Sequence, residues 1–391
     1  MKAHALRAWD GAARMTVMTT ESPAHFFNMD PVALRERFVA WGMPAFRAEQ
    51  VRQWVYERGI VEPQQMTNLS KADRQLLADR LMFLSGRVVR HQRATDGVQK
   101  LLLQWRSPDD ASGINVAPLS LPIADQRAPE RETECVLIPA EDKHRPRRTA
   151  CISSQIGCPV GCTFCASGLG GLDGNLTAGQ IVEQVWQLQQ LPGVGRVTNI
   201  VFMGMGEPLA NFNEVVRAVR YLMADWGLNI SGRRITISTV GLPAQIRRLA
   251  DLELPVTLAI SLHAPNDAIR RRLIPWADYV TIEQLLEAGR YYFERTGREV
   301  TLEYILLREV NDRPEHAKEL ARVARTLRSN VNLIRYNEVK GLPFGRPASE
   351  DVLTFQRILR EAGVNTHIRA SRGRDIAAAC GQLRHEHARA G

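Results

Sequence analysis

Residues 151–165 read CISSQIGCPVGCTFC and hold four of the chain's six cysteines. Cys158, Cys162 and Cys165 form C-x3-C-x2-C. Zinc sites usually show two separated Cys/His pairs, and no second pair is present. A histidine could complete a Cys3His set, but none stands at a zinc-finger offset. Thiolates a few residues apart on a tight loop suit an iron–sulfur cluster. Three protein thiolates on four irons leave one iron open, and an open iron can take a small chelating ligand. Cys151 stands outside this spacing, and Cys380 lies far away in DIAAACGQL (375–383).

Such a loop needs a frame. The chain has 391 residues and is 45% hydrophobic, enough for one large domain and a smaller one. Its apolar runs are strand-length, well short of a membrane span. The first twenty residues lack the apolar core of a signal peptide. The expected location is cytoplasmic, where clustered cysteines bind metal or do redox work. The net charge is +9, with the arginine runs Arg233-Arg234, Arg247-Arg248 and Arg270-Arg271-Arg272. A nucleic-acid partner fits that charge, because guanidinium forks match phosphate; a solvated basic surface accounts for it equally well.

Residues 1–25 read as an irregular segment. Residues 26–85 read as a helical domain: PVALRERFVAWG places Val32, Leu34, Phe38, Val39 and Trp41 near helical spacing behind an Asp30 N-cap. Residues 86–143 read as a β-rich connector, with a hairpin around Asp96-Gly97 and a loop insertion at 107–132 that carries four prolines. From 144 to 375, six apolar strands (149–155, 198–204, 234–241, 256–263, 300–307 and 330–337) alternate mostly with amphipathic helices. Repeated strand–helix units imply a parallel sheet covered on both faces. Six units predict a partial (β/α)6 barrel, with a doubly wound sheet as the alternative. Ligands then sit at the carboxyl ends of the strands, where Gly204–Glu207, Ser238–Gly241, Ser261–His263 and Asn337 fall. Residues 376–391 form a C-terminal segment carrying Cys380.

The C-x3-C-x2-C loop after a first strand resembles the signature of the radical S-adenosylmethionine (SAM) superfamily. Cys151-x6-Cys158, GMGEPLAN (204–211), SLHAPND (261–267) and DIAAACGQL together resemble the RlmN/Cfr group of radical SAM RNA methyltransferases. The resemblance runs from about residue 30 to 384. It implies an α/β fold with a partial radical SAM barrel and a small helical accessory domain that grips RNA. It implies a [4Fe-4S] cluster on Cys158, Cys162 and Cys165, with SAM as methyl donor and radical source. Gly206, Glu207, Ser238, Ser261, Leu262, His263 and Asn337 are the implied SAM contacts.

The resemblance further implies that Cys380 is methylated first and that its methyl carbon is then joined to an adenine ring carbon. Cys151 resolves the resulting adduct through a transient disulfide, and Glu134 is the implied proton acceptor. Cys135 has no counterpart in that set and is read as structural. The implied substrate is 23S rRNA, with tRNA a second candidate. C2 of adenine is favoured over the C8 of Cfr-like enzymes. An electron donor such as flavodoxin or ferredoxin, a monomeric state and no membrane partner complete the expectation. Two alternatives stand beside it: a radical SAM enzyme acting on a peptide or small molecule, which needs no Cys151/Cys380 pair, and an RNA-binding protein with a structural metal, which needs no GMGEP.

Overall fold

A computed structural model describes residues 23–106, 131–140 and 146–383. The 107–132 insertion, save its last two residues, lies outside the described residues, as do 1–22 and 384–391. The N-terminal part holds β1 (Ala24–His25), α1 (Pro31–Ala40), α2 (Phe46–Tyr56), α3 (Lys71–Arg80) and β2 (Leu81–Met82), with β1 and β2 paired in parallel. Asp30 caps α1 as expected, accepting from the Ala33 N–H at 2.8 Å. The inner face of α1 differs from the sequence reading. Leu34 and Phe38, one turn apart, are buried, whereas Val32 and Val39 are 63% and 57% exposed. Seven residues apart, the two valines share a face opposite that buried stripe.

The chain continues through β3 (Gly86–Arg93), β4 (Gln99–Trp105), β5 (Glu132–Ala140) and β6 (Arg147–Cys151). A small hairpin, β7 (Gln155–Gly157) with β8 (Leu172–Asn175), spans the ends of the cysteine loop. Alternating units follow: α4 (Ala178–Gln189), β9 (Asn199–Phe202), α5 (Phe212–Met223), β10 (Ile235–Thr239), α6 (Pro243–Asp251), β11 (Thr257–Ser261), α7 (Asp267–Leu273), α8 (Ile282–Thr296), β12 (Val300–Leu306), α9 (Pro314–Ala324), β13 (Ser329–Arg335), α10 (Ser349–Glu361) and β14 (Thr366–Arg369).

One ten-stranded sheet runs β14-β13-β12-β11-β10-β9-β6-β5-β4-β3. From β6 through β14 every pairing is parallel. All six expected strands are present, and β14 adds a seventh to the partial barrel. The hairpin β3–β4 and β5 extend the same sheet in antiparallel fashion. Parallel strands buried on both faces read as apolar runs, and β12 is buried along its whole length.

The N-terminal helices share a continuous core with the barrel, from Phe27 and Trp54 through Trp186 to Phe355. Glu183 on α4 ties that junction. It is fully buried; its Oε1 accepts from the Gly86 N–H and Gln187 Nε2, and its Oε2 from the Ser85 N–H and hydroxyl, all within 2.7–2.9 Å. His25 Nε2 stands 3.0 Å from Oε2. A buried carboxylate is tolerated where its lone pairs are met in this way.

Candidate active site

The cysteine loop leaves β7 and folds back over the barrel mouth. Gly161 takes a left-handed φ of +70°, which lets the chain turn between Cys158 and Cys162. The loop is held against the end of α7 by the Thr163 N–H donating to the Leu273 carbonyl at 3.0 Å. Cys158, Cys162 and Cys165 line one cavity of about 160 Å³ with Gly206, Glu207, Ser238, Ser261 and His263. Burial pushes the Cys158 thiol up to about 12 and raises Cys162 and Cys165 as well. Such thiols ionise readily only against a cation, which iron provides. Among the described residues no three Cys, His, Asp or Glu side chains are grouped to share a single ion. Three thiols around one cavity are the residues that would hold an iron–sulfur cluster.

The other expected contacts divide in two. Glu207 is buried; its carboxylate accepts from the Leu209 N–H at 2.9 Å and the Val240 N–H at 2.7 Å. Burial nevertheless outweighs these bonds and raises its pKa to about 7. Gly206 has a φ of +97°, and a Cβ there would meet the Gln155 side chain at 2.6 Å, so only glycine fits. Ser238 and Ser261 hydroxyls lie 3.4 Å apart on the cavity wall. His263 accepts at Nδ1 from the Ile305 N–H at 3.1 Å, which leaves its proton on Nε2. Burial lowers its pKa to about 3, so the ring is neutral at ordinary pH. Leu262 packs in the core and borders neither of the two cavities described here. Asn337 borders the second, outer cavity and donates from Nδ2 to the Cys380 carbonyl at 3.4 Å.

That outer cavity, about 440 Å³, takes in Cys151, Arg147, Asn332 and the threonines 149, 236, 257 and 301. Met203, Glu303, Ile334, Arg369 and Cys380 line both cavities and form the wall between them. Of the six cysteines, all free thiols, Cys380 alone touches both spaces. Burial, and the neighbouring Cys380, raise the Cys151 thiol to about 12, while Arg369 pulls it down. Arg369, beside Cys380 and Glu303, keeps its charge despite its burial. Arg369 also donates to the Met203 sulfur at 3.1 Å.

Glu134 borders neither cavity. It is buried on β5 in an ion pair with Lys100 at 2.7 Å. Cys135 is fully buried in the core. The sequence reading missed Glu303 and Arg369. A carboxylate inside the apolar run VTLEYILL was the signal for Glu303, since a buried charge calls for a reason. Arg369 sits on the short β14, and no pattern announced it.

A three-thiol loop at the carboxyl end of a partial parallel barrel defines the radical SAM class. Residues 152–322 match the Radical SAM superfamily, and residues 24–82 match the ribosomal RNA large subunit methyltransferase N-terminal domain. The chain is 40% identical to a probable dual-specificity RNA methyltransferase RlmN of Rhodopirellula baltica over 94% of each chain. It is 38% identical to the dual-specificity RNA methyltransferase RlmN of Dichelobacter nodosus over 92% of this chain and 93% of that one. The crystal structure of a radical SAM methyltransferase from Sphaerobacter thermophilus superposes with a TM-score of 0.82 at 40% identity, over 93% of this chain and 99% of that one. The chain belongs to the RlmN family of radical SAM RNA methyltransferases, enzymes that use a [4Fe-4S] cluster and SAM. No described helix is long and apolar enough to cross a membrane.

Proposed function

We propose that this enzyme methylates C2 of an adenine in 23S rRNA, and a purine of tRNA as well, through an S-methylated Cys380 that Cys151 later releases. The dual specificity in the relatives' names supports two RNA substrates. Their RlmN rather than Cfr identity supports C2. The observation that carries the mechanism is the place of Cys380 in the wall between the two cavities. A carbon that must be loaded on one side and delivered on the other needs a carrier at that boundary.

When bound, the cluster and SAM supply the methyl group and the radical chemistry. Cys158, Cys162 and Cys165 would hold the cluster. Glu207, the Ser238–Ser261 pair and the Nε2–H of His263 present an acceptor, two hydroxyls and a donor to a ligand beside it. In the outer cavity the target base, flipped from its stack, meets the Cys380 carbon. Cys151 gives up its proton and attacks the Cys380 sulfur. The S–S bond forms as the S–C bond breaks, and the electron pair goes to the departing carbon, which takes up a proton. The disulfide is then reset by a thiol reductant. Glu134, the family's implied proton acceptor, borders neither cavity and is paired with Lys100.

A third cavity, about 1170 Å³, shares Pro139, Ala140, Arg147, Ser371 and Arg372 with the outer one and adds Arg93 and Arg148. Guanidinium groups along a groove that opens on the base pocket suit the flanking phosphates. Peptide mass spectrometry tests the reading. Wild-type protein made with cluster and SAM should carry methyl on the Cys380 peptide, and Cys151→Ala should carry an RNA adduct there. An unmodified Cys380 in both, with the cluster intact, would end the proposal.

A further inference from the structure

The Cys380 carrier lies on a strap, residues 370–383, whose course is set by contacts on both sides. At its end the Ala166 N–H donates to the Gly381 carbonyl at 2.8 Å and the Ser167 hydroxyl to the Leu383 carbonyl at 2.7 Å, joining it to the cysteine loop. At its start Arg372 Nε pairs with Asp96 at 2.9 Å and the Gly373 N–H donates to the same carboxylate at 3.0 Å, joining it to the β3–β4 turn. Between these two tethers, three residues before Cys380, Ala377 takes a left-handed φ of +49°. That conformation is costly for a residue with a Cβ and persists only where neighbours impose it. The Ala377 carbonyl accepts from Lys100 Nζ at 3.2 Å, and the same ammonium is paired with Glu134.

Sheet register gives this contact a consequence. Lys100 lies opposite Val136, Val136 opposite Cys151, and Cys151 opposite Val201. Residues directly opposite share a face, so Lys100 and Cys151 stand in one row beneath the strap. Val98, Val136, Cys151 and Val201 pack with Ala378 and Leu383, which places the strap on that face. Two strand spacings separate Lys100 from Cys151, roughly 10 Å. Three residues of chain from Ala377 reach Cys380, at most about 10 Å. The lengths match: a strap pinned at Lys100 can bring Cys380 over Cys151.

We propose that Lys100 is a positioning residue for Cys380, holding the strap at Ala377 so that the Cys380 thiol faces Cys151. Glu134 on β5 then serves to fix Lys100. The proposal rests on the reading of Cys151 and Cys380 as a working pair.

The test measures their alignment directly. Protein produced under iron limitation, so that Cys380 is unmethylated, has its cluster rebuilt anaerobically without SAM. It is then equilibrated in glutathione redox buffers. One glutathione disulfide oxidises the two thiols, giving the Cys151–Cys380 disulfide and two reduced glutathiones. The disulfide fraction, read by mass spectrometry, gives the pair's effective concentration. Lys100→Met should lower it about tenfold or more, the range for losing a charged hydrogen bond, and Lys100→Arg should restore most of it. Lys100→Met alone takes the ammonium away from the buried Glu134 carboxylate and can unfold the protein. Lys100→Met/Glu134→Gln removes both charges and should show the same loss with the cluster retained. A wild-type effective concentration in that double variant would overturn the proposal. An unmethylated Cys380 in SAM-loaded wild type would instead remove the functional reading and leave the alignment result standing.

Discussion

The two cavities that share Cys380 are built in different ways. The inner one is built mainly from short contiguous motifs, the cysteine loop, Gly204–Glu207 and the ends of β10 and β11, and is closed by the wall it shares with the outer one. Its glycine and carboxylate are locked by neighbouring backbone, as Glu207 is by Val240 and Leu209. The outer cavity draws single side chains from most strands of the barrel and from the strap, spanning 245 positions from Ile138 to Leu383 by difference of number. The inner space asks for one fixed, small ligand geometry. The outer one has to admit a base carried on a much larger molecule, so it is wider and rimmed by arginine.

The contrast is broken most severely at the cluster. Cys162→Ala should lose the brown colour of the anaerobic protein and reduce both Cys380 and RNA methylation to background. RNA affinity should persist, because the groove is untouched; a filter-binding titration beside the visible spectrum checks both halves. Cys151→Ala should separate the two spaces: the inner chemistry still methylates Cys380, while product release stops and protein–RNA adduct accumulates on denaturing gels.

A smaller effect belongs to Glu207. Its carboxylate must be ionised to accept from a ligand's ammonium group. SAM affinity should therefore fall about tenfold per pH unit below about 7, its raised pKa, and calorimetry at pH 5.5–8 should show Glu207→Gln weak and flat. Without ligand the same shift acts on stability with the opposite sense: the fold favours the protonated acid, and that contribution is lost as pH rises from 4.5 through about 7. The smallest effect lies at the outer rim. Arg93→Gln/Arg147→Gln should weaken RNA binding and make its log–log salt slope shallower by about 1.5, with SAM affinity unchanged.

Legibility in the sequence followed the same division. The inner site could be read because its ligands are close in sequence and the chemistry dictates their spacing. All six strands stood out as apolar runs. β14 did not, because THIR is four residues long with Ile368 its one apolar residue, and its place is fixed by β13 rather than by its own pattern. The roles of Cys151 and Cys380 came only through the family resemblance; no spacing rule joins residues 229 positions apart by subtraction of their numbers. Glu134 was singled out only through the family resemblance and Lys100 by no pattern; the register of β4 on β5 puts them diagonally across one face. Val32 and Val39 misled in the other direction, since helical periodicity does not say which of two apolar faces meets the core.

The Glu183 junction bears on how the molecule comes apart. Donors from Ser85 and Gly86, with His25 beside them, converge on one carboxylate of a barrel helix. Opening the N-terminal helices alone would take His25 from that carboxylate and expose the core they share with α4, from Phe27 and Trp54 to Trp186, while Ser85, Gly86 and Gln187 stay in place. The helical domain and the barrel should therefore melt as one cooperative unit, and hydrogen exchange in α1–α3 should report the same opening event as α4.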